Sequence, residues 1–295
     1  MLISPPFGGG RAPVLARNTV ASSQPLATQA GIEVLQNGGN AVDAALATAI
    51  TLTVVEPTMN GLGGDGFAIL WDGKKLHGLN ASGRAPAAWK PEYFAGKSAM
   101  DLIGWNTVTV PGMVAGWIDL SRKFGKLPFA QLFKRAIDYA ENGFPVSPVI
   151  ARQWREAIPI LKNQPGFSES FLIDGKSPQA GQIWKYPAQA KTLKEIAATE
   201  GESFYKGPLA QSMVDFAQAT GGCFTMQDFA DNQSEWVEPL AFDYGDYTLH
   251  EIPPNGSGIA AQIALGILQA ANVKQYPANS AQRIHLQIEA MRMAF

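Results

Sequence analysis

The residues in this chain best suited to chemistry are few and scattered. Arg84, in the run GLNASGRAP from Gly78 to Pro86, follows an apolar stretch at a chain turn. A guanidinium fork there suits a carboxylate ligand, and it suits equally a surface ion pair with a nearby acid. Gly61, Gly63 and Gly66 satisfy GxGxxG, the glycine spacing of dinucleotide loops. The apolar Phe67–Trp71 and a turn come next, however, where such a site needs a helix N-terminus, and Asp65 would repel phosphate. A tight turn packed under a sheet is the expectation. Cys223 follows Gly221-Gly222 and reads as a small buried side chain. His77, His250 and His285 have no metal-ligand spacing and read as strand or helix surface residues. GxSxG is absent, and neither metal nor cofactor is expected.

The elements that would position these residues are clearest from Gln36 to Phe67. Gly38 and Gly39 are suited to ending a helix that Ser23 and Pro25 open, with an apolar stripe of Ala27, Ala30, Val34 and Leu35. Asn40 can cap the next helix, and Asp43, three residues on, favours the positive end of that helix's dipole. The run Ala41–Val55 has almost no polar face, so a helix there must be covered on nearly all sides. It falls short of the roughly 20 apolar residues of a membrane span. Asp72-Gly73, between Phe67–Trp71 and Leu76–Leu79, predicts a hairpin with a type I′ turn. Helical patterns cover Phe129–Asn142 and Ala188–Ala198, and Thr225 with Asp228 resembles a capping box. Tyr247–Ile252 alternates like a strand before the Asn255-Gly256-Ser257-Gly258 loop, and a helix begins near Ile259. Ser280 can cap a last helix with a stripe of Ile284, Ile288, Met291 and Phe295. That helix has no stop signal, so the expectation is a chain cut within an element.

A chain of 295 residues, 46% hydrophobic and 16% charged, can bury a large core, and one domain over 1–295 is the simplest reading. A formal net charge of −2 makes no electrostatic case for nucleic acid or an anionic membrane as partner, and favours small molecules. One cysteine, and no apolar run at the N-terminus, lead to the expectation of a cytoplasmic protein.

VASSQPLATQAGIEVLQNGGNAVDAALA, GLGGDGF and SGRAPAA together resemble the large-subunit half of gamma-glutamyltransferases and the related cephalosporin acylases. The likeness continues through TLKEIAATEGESFYKGPLAQSM, GGCFTMQDFADN, PPNGSG and EAMRMAF, over nearly the whole chain. It implies an α+β fold, the αββα sandwich of the N-terminal nucleophile hydrolases. It also implies a precursor that cuts itself, so that a threonine becomes the N-terminal residue of a small subunit, this chain's partner. The substrate class implied is a small-molecule gamma-glutamyl amide such as glutathione. A glutaryl or cephalosporin acylase is the alternative, and a non-catalytic scaffold or inactive fragment a further one. The family's threonine lies beyond the last residue here, so no catalytic residue is assigned. The gamma-glutamyltransferases proper carry an arginine three residues before the alanine of the Ala-Pro pair, to hold the substrate's alpha-carboxylate, and Ser82 stands at that position. Arg84, two residues on, would share the face of Ser82 in a strand or tight turn, so both are expected to bind substrate.

Overall fold

Asn40 fixes the start of the central helix. In the computed structural model, which describes residues 14–295, its side-chain oxygen accepts from the amides of Val42 and Asp43, each at 3.0 Å. Asp43 in turn accepts from the Asn40 amide at 2.9 Å, so the expected Asn40 cap is part of a full capping box. The helix, α2 (Ala41–Val55), follows α1 (Pro25–Gln36), and eleven of its fifteen residues are buried. Thr48, Thr51 and Thr53 are compatible with this burial because each hydroxyl donates to a carbonyl of its own helix, at 2.7–2.8 Å. At Gly31 of α1, a Cβ would come within 2.3 Å of the Thr48 hydroxyl, so the helix pair needs glycine there.

Two sequence expectations are corrected at α1 and in the hairpin that follows α2. The cap of α1 is Gln24, whose side chain accepts from the Leu26 amide, because the Ser23 hydroxyl donates instead to the Glu56 carboxylate at the end of α2. Strands β1 (Gly66–Trp71) and β2 (Leu76–Ala81) pair antiparallel from Gly66 with Ala81 to Trp71 with Leu76. Their connection is four residues, Asp72 to Lys75, rather than the two of a type I′ turn. Asp72 organises it by accepting from the amides of Lys74 and Lys75 at 2.8 and 2.7 Å.

Helices dominate the rest. α3 (Met113–Phe124), α4 (Lys134–Asn142), α5 (Pro148–Leu161), α6 (Phe167–Phe171) and α7 (Pro187–Ala198) are joined by loops and by the short pair β3 (Phe144–Pro145) and β4 (Ile183–Trp184). α8 (Glu202–Lys206), α9 (Pro208–Ala219) and α10 (Met226–Ala230) lead to β5 (Glu235–Val237). α10 has the Thr225–Asp228 capping box. β5 pairs with β2, so this sheet runs β1-β2-β5, with Asn80 opposite Glu235. A separate hairpin, β6 (Leu240–Tyr244) with β7 (Tyr247–Glu251), packs against α11 (Gly258–Ala270). Buried Gln262 of α11 donates to the carbonyls of Leu240 and Leu249 and so ties helix to hairpin.

The main core joins α1, α2, α3, α4, α5, α7 and α9 around Ile50, Phe133, Trp154 and Leu193, all nearly inaccessible. A smaller one joins α11 to α12 (Ala281–Ala294) through Ala264, Leu268 and Ala290. Ser280 caps α12 as expected, by accepting from the Arg283 amide. Its Ile284, Ile288, Met291 and Phe295 are exposed, because the helix packs through Ala290 instead. Cys223 is half-buried rather than buried. Among the described residues no helix is long and apolar enough to cross a membrane. The sequence reading of residues 1–13 lies outside the described part.

Candidate functional site

The chain leaves β2 at Ala81 and turns through Ser82, Gly83 and Arg84. Gly83 has φ +81°, and a Cβ on it would lie 1.8 Å from the Val110 carbonyl oxygen. Gly112 is equally constrained, since a Cβ there would meet the Ala81 carbonyl oxygen at 2.2 Å. Two glycines therefore allow the turn to press directly on the extended segment before α3. The Val110 amide donates to the Arg84 carbonyl at 2.9 Å, and the Thr109 hydroxyl to the Ser82 carbonyl at 3.4 Å.

The expectation that Ser82 and Arg84 share a face does not rest here on strand alternation. β2 has already ended, and the left-handed Gly83 interrupts the period of two. The two side chains share the turn and go to different partners. The Ser82 hydroxyl accepts from the Asn255 amide group at 2.9 Å, and the Asn255 side-chain oxygen accepts from the Asn80 amide group at 2.8 Å. Asn80 also accepts from the Ser82 amide at 3.0 Å, the local bond of an asparagine turn. Arg84 donates through Nη2 to Glu235 Oε1 at 2.7 Å. Both side chains of that pair are 58% exposed, so the bond is solvent-screened and exchangeable.

The glycine loop supports this turn from behind. The Gly64 carbonyl accepts from the amides of Gly112 and Met113 at 3.2 and 3.1 Å, which fixes the start of α3. A strand follows the loop, as the sequence indicates, so the loop does not lead into a helix N-terminus of the dinucleotide-binding kind, and the first amides of α3 are taken by Gly64. Tyr205 holds the same segment from the other side: its hydroxyl donates to the Pro111 carbonyl at 2.7 Å and accepts from the Ala115 amide at 2.9 Å. Burial pushes the Tyr205 phenol well above its ordinary pKa, so it stays a neutral donor.

Asn80, Asn255, Glu235, Thr109 and Tyr205 are site neighbours that sequence reasoning did not select. Only Asn255 carried a signal, as a turn residue in the PPNGSG loop. Glu235 reaches Arg84 through the pairing of β5 with β2, which no local pattern reveals. Of the histidines, His77 bonds Asp72 at 2.8 Å, while His250 and His285 lie elsewhere. No three His, Cys, Asp or Glu side chains among the described residues come together as a metal-ligand set.

This architecture is shared closely with solved structures. A gamma-glutamyltranspeptidase from Pseudomonas nitroreducens, complexed with L-DON, superposes with a TM-score of 0.87 at 34% identity, over 96% of this chain and 85% of that one. A cephalosporin acylase from Bacillus halodurans gives 0.85 at 42% identity, over 98% and 57%. The fold is that of the αββα N-terminal nucleophile hydrolases, in the α+β class. A family model described as gamma-glutamyltranspeptidase matches residues 27–295, and the chain belongs to that family. A glutathione hydrolase-like proenzyme of Bacillus subtilis is 36% identical over 282 residues, which are 95% of this chain and 54% of that protein. The chain spans about half the length of the curated relatives it matches.

Proposed function

We propose that this chain is the large-subunit part of a precursor that cleaves itself, leaving a threonine as the first residue of a small subunit. The observation that carries this reading is the alignment of nearly the whole chain with about half of each of several proenzymes. In such an enzyme the threonine hydroxyl attacks the amide carbonyl while the threonine's own amine takes up the proton. The tetrahedral oxyanion is held by backbone N–H donors, and the amine leaves with the proton as the C–N bond breaks. The resulting acyl ester then passes its acyl group to water or to an acceptor amine.

This chain's contribution would be to bind the acyl donor at the turn of Ser82 and Arg84. A gamma-glutamyl amide such as glutathione is the first reading of the donor. A glutaryl-type acyl amide, which carries the same carboxylate but no α-amino group, is the second, and the 42% identity to a cephalosporin acylase supports it. A cytoplasmic location and a small subunit from the same precursor, with no nucleic-acid partner, complete the proposal.

The test is to express the complete gene and follow it on a denaturing gel, with N-terminal sequencing of any released fragment. Cleavage in front of a threonine, abolished by its replacement with alanine, is the expected result, and an intact precursor overturns the proposal. Hydrolysis of a gamma-glutamyl anilide beside a glutaryl anilide then decides between the two donors.

A further inference from the structure

The extended segment before α3 has a second side. Thr109 and Val110 hold the turn of Ser82–Arg84, whereas Val108 and Pro111 line a cavity of about 390 Å³. Phe224 and Phe229 form its buried floor, and Trp105, Met213 and Phe216 of the loop and α9 form its walls. The rings are mutually fixed in edge-to-face contact: Trp105 lies 6.1 Å from Phe216 and 5.8 Å from Phe224, and Phe224 5.7 Å from Phe229. Trp105 is held further by donating its indole N–H to the Thr220 hydroxyl at 3.0 Å. The pocket is therefore built before any ligand arrives. Its volume falls in the range of roughly 300–1,000 Å³ usual for small-molecule sites.

Gly63 lines this cavity from the glycine loop, and its conformation does not demand glycine. Gly63 is exposed at the rim, and a Cβ there would meet no described atom within 4 Å, so a larger side chain can be accommodated at the edge of the cavity. No charged residue lines the cavity, and Ser212 is its one polar side chain besides the tied indole of Trp105. An ionic ligand would lose hydration there without compensation, whereas a neutral ring would gain edge-to-face and sulfur contacts.

We propose that this cavity, walled by Trp105, Phe216, Phe224 and Phe229 and left open by Gly63, binds a neutral, aromatic small molecule or substituent. This binding site is separate from the polar turn of Ser82–Arg84 and does not depend on the reaction proposed above.

The experiment is a fluorine NMR titration of the protein expressed from its complete gene, with 4-fluorobenzyl alcohol as probe. Saturable binding is expected, with the charged 4-fluorobenzylammonium ion binding far more weakly. Gly63→Val and Met213→Trp, which fill the cavity, are each expected to weaken binding by at least about tenfold. Gly61→Val is the control, since Gly61 also has free space around it but does not line the cavity. Melting curves establish that each variant is folded, and Phe216→Ala, at a position 46% exposed, replaces any filling variant that is not. The proposal is overturned if the wild-type protein shows no saturable binding, as when the remainder of the protein fills the cavity. Undiminished affinity in the folded variants, or equal binding of the charged probe, overturns it too.

Discussion

The Asn255 side chain donates to the Ser82 hydroxyl at 2.9 Å across 173 residues of sequence, and so joins the loop before α11 to the turn after β2. Asn80 completes the group, because its amide donates to the same Asn255. The result is a neutral, hydrogen-bonding surface beside the cation of Arg84.

Removal of the Asn255 amide is expected to disturb the turn more than the fold. The cluster is partly solvated, so Asn255→Ala costs about 1 kcal/mol or less in a denaturant titration. In the assembled enzyme it raises KM for the acyl donor and leaves kcat nearly unchanged. A fall in kcat with an unchanged KM would remove Asn255 from ground-state binding.

Arg84 and Glu235 make opposite predictions. Arg84→Ala is expected to raise KM for a carboxylate-bearing donor by about tenfold, through loss of a charge-assisted contact. Glu235→Gln removes the internal carboxylate that occupies Arg84 Nη2 and is expected to lower the same KM. Unchanged kinetics in both variants excludes the pair from the site.

Asp43 is the structural acid of the molecule. Wholly buried, it accepts from the backbone amides of Asn40, Lys126 and Leu127 and thereby joins the start of α2 to the loop after α3. Asp43→Ala leaves those donors without a partner and is expected to cost about 2–4 kcal/mol in a urea melt, with Asp43→Asn costing less. A change below about 0.5 kcal/mol contradicts this account.

Asp72 gives the acid limb of stability a definite shape. Its carboxylate accepts from the Lys75 amide, the His77 ring and the Lys74 amide, which lower its pKa from 3.8 to about 2. Because the folded value is the lower one, the stabilisation is present above pH 3.8 and disappears as pH falls toward 2. Carboxyl NMR titration of Asp72 is the direct measurement, and Asp72→Asn is expected to flatten the stability curve across that window. A midpoint at the ordinary carboxylate value would show that these bonds do not persist in solution.

Local physics made much of the scaffold legible. The Asn40–Asp43 cap, the central burial of Ala41–Val55, the β1–β2 pairing and the Thr225–Asp228 box all depend on residues close in sequence. The misses occurred where a distant group competed for a local one. Gln24 caps α1 because the Ser23 hydroxyl donates to Glu56, and the stripe of α12 stayed exposed because Ala290 makes the contact with α11.

The sequence by itself determined most of the elements, because capping, periodicity and glycine placement act within a few residues, and its motifs carried the resemblance to the family. It also singled out Ser82 and Arg84 as candidates for binding substrate. Only the tertiary structure decided what those two residues touch. Glu235 comes from β5, brought beside the turn by its pairing with β2, and Asn255 comes from the loop before α11 and is joined to the turn by its hydrogen bond to Ser82. Contacts of that kind depend on how folded segments meet in space, and no short-range pattern along the chain encodes them.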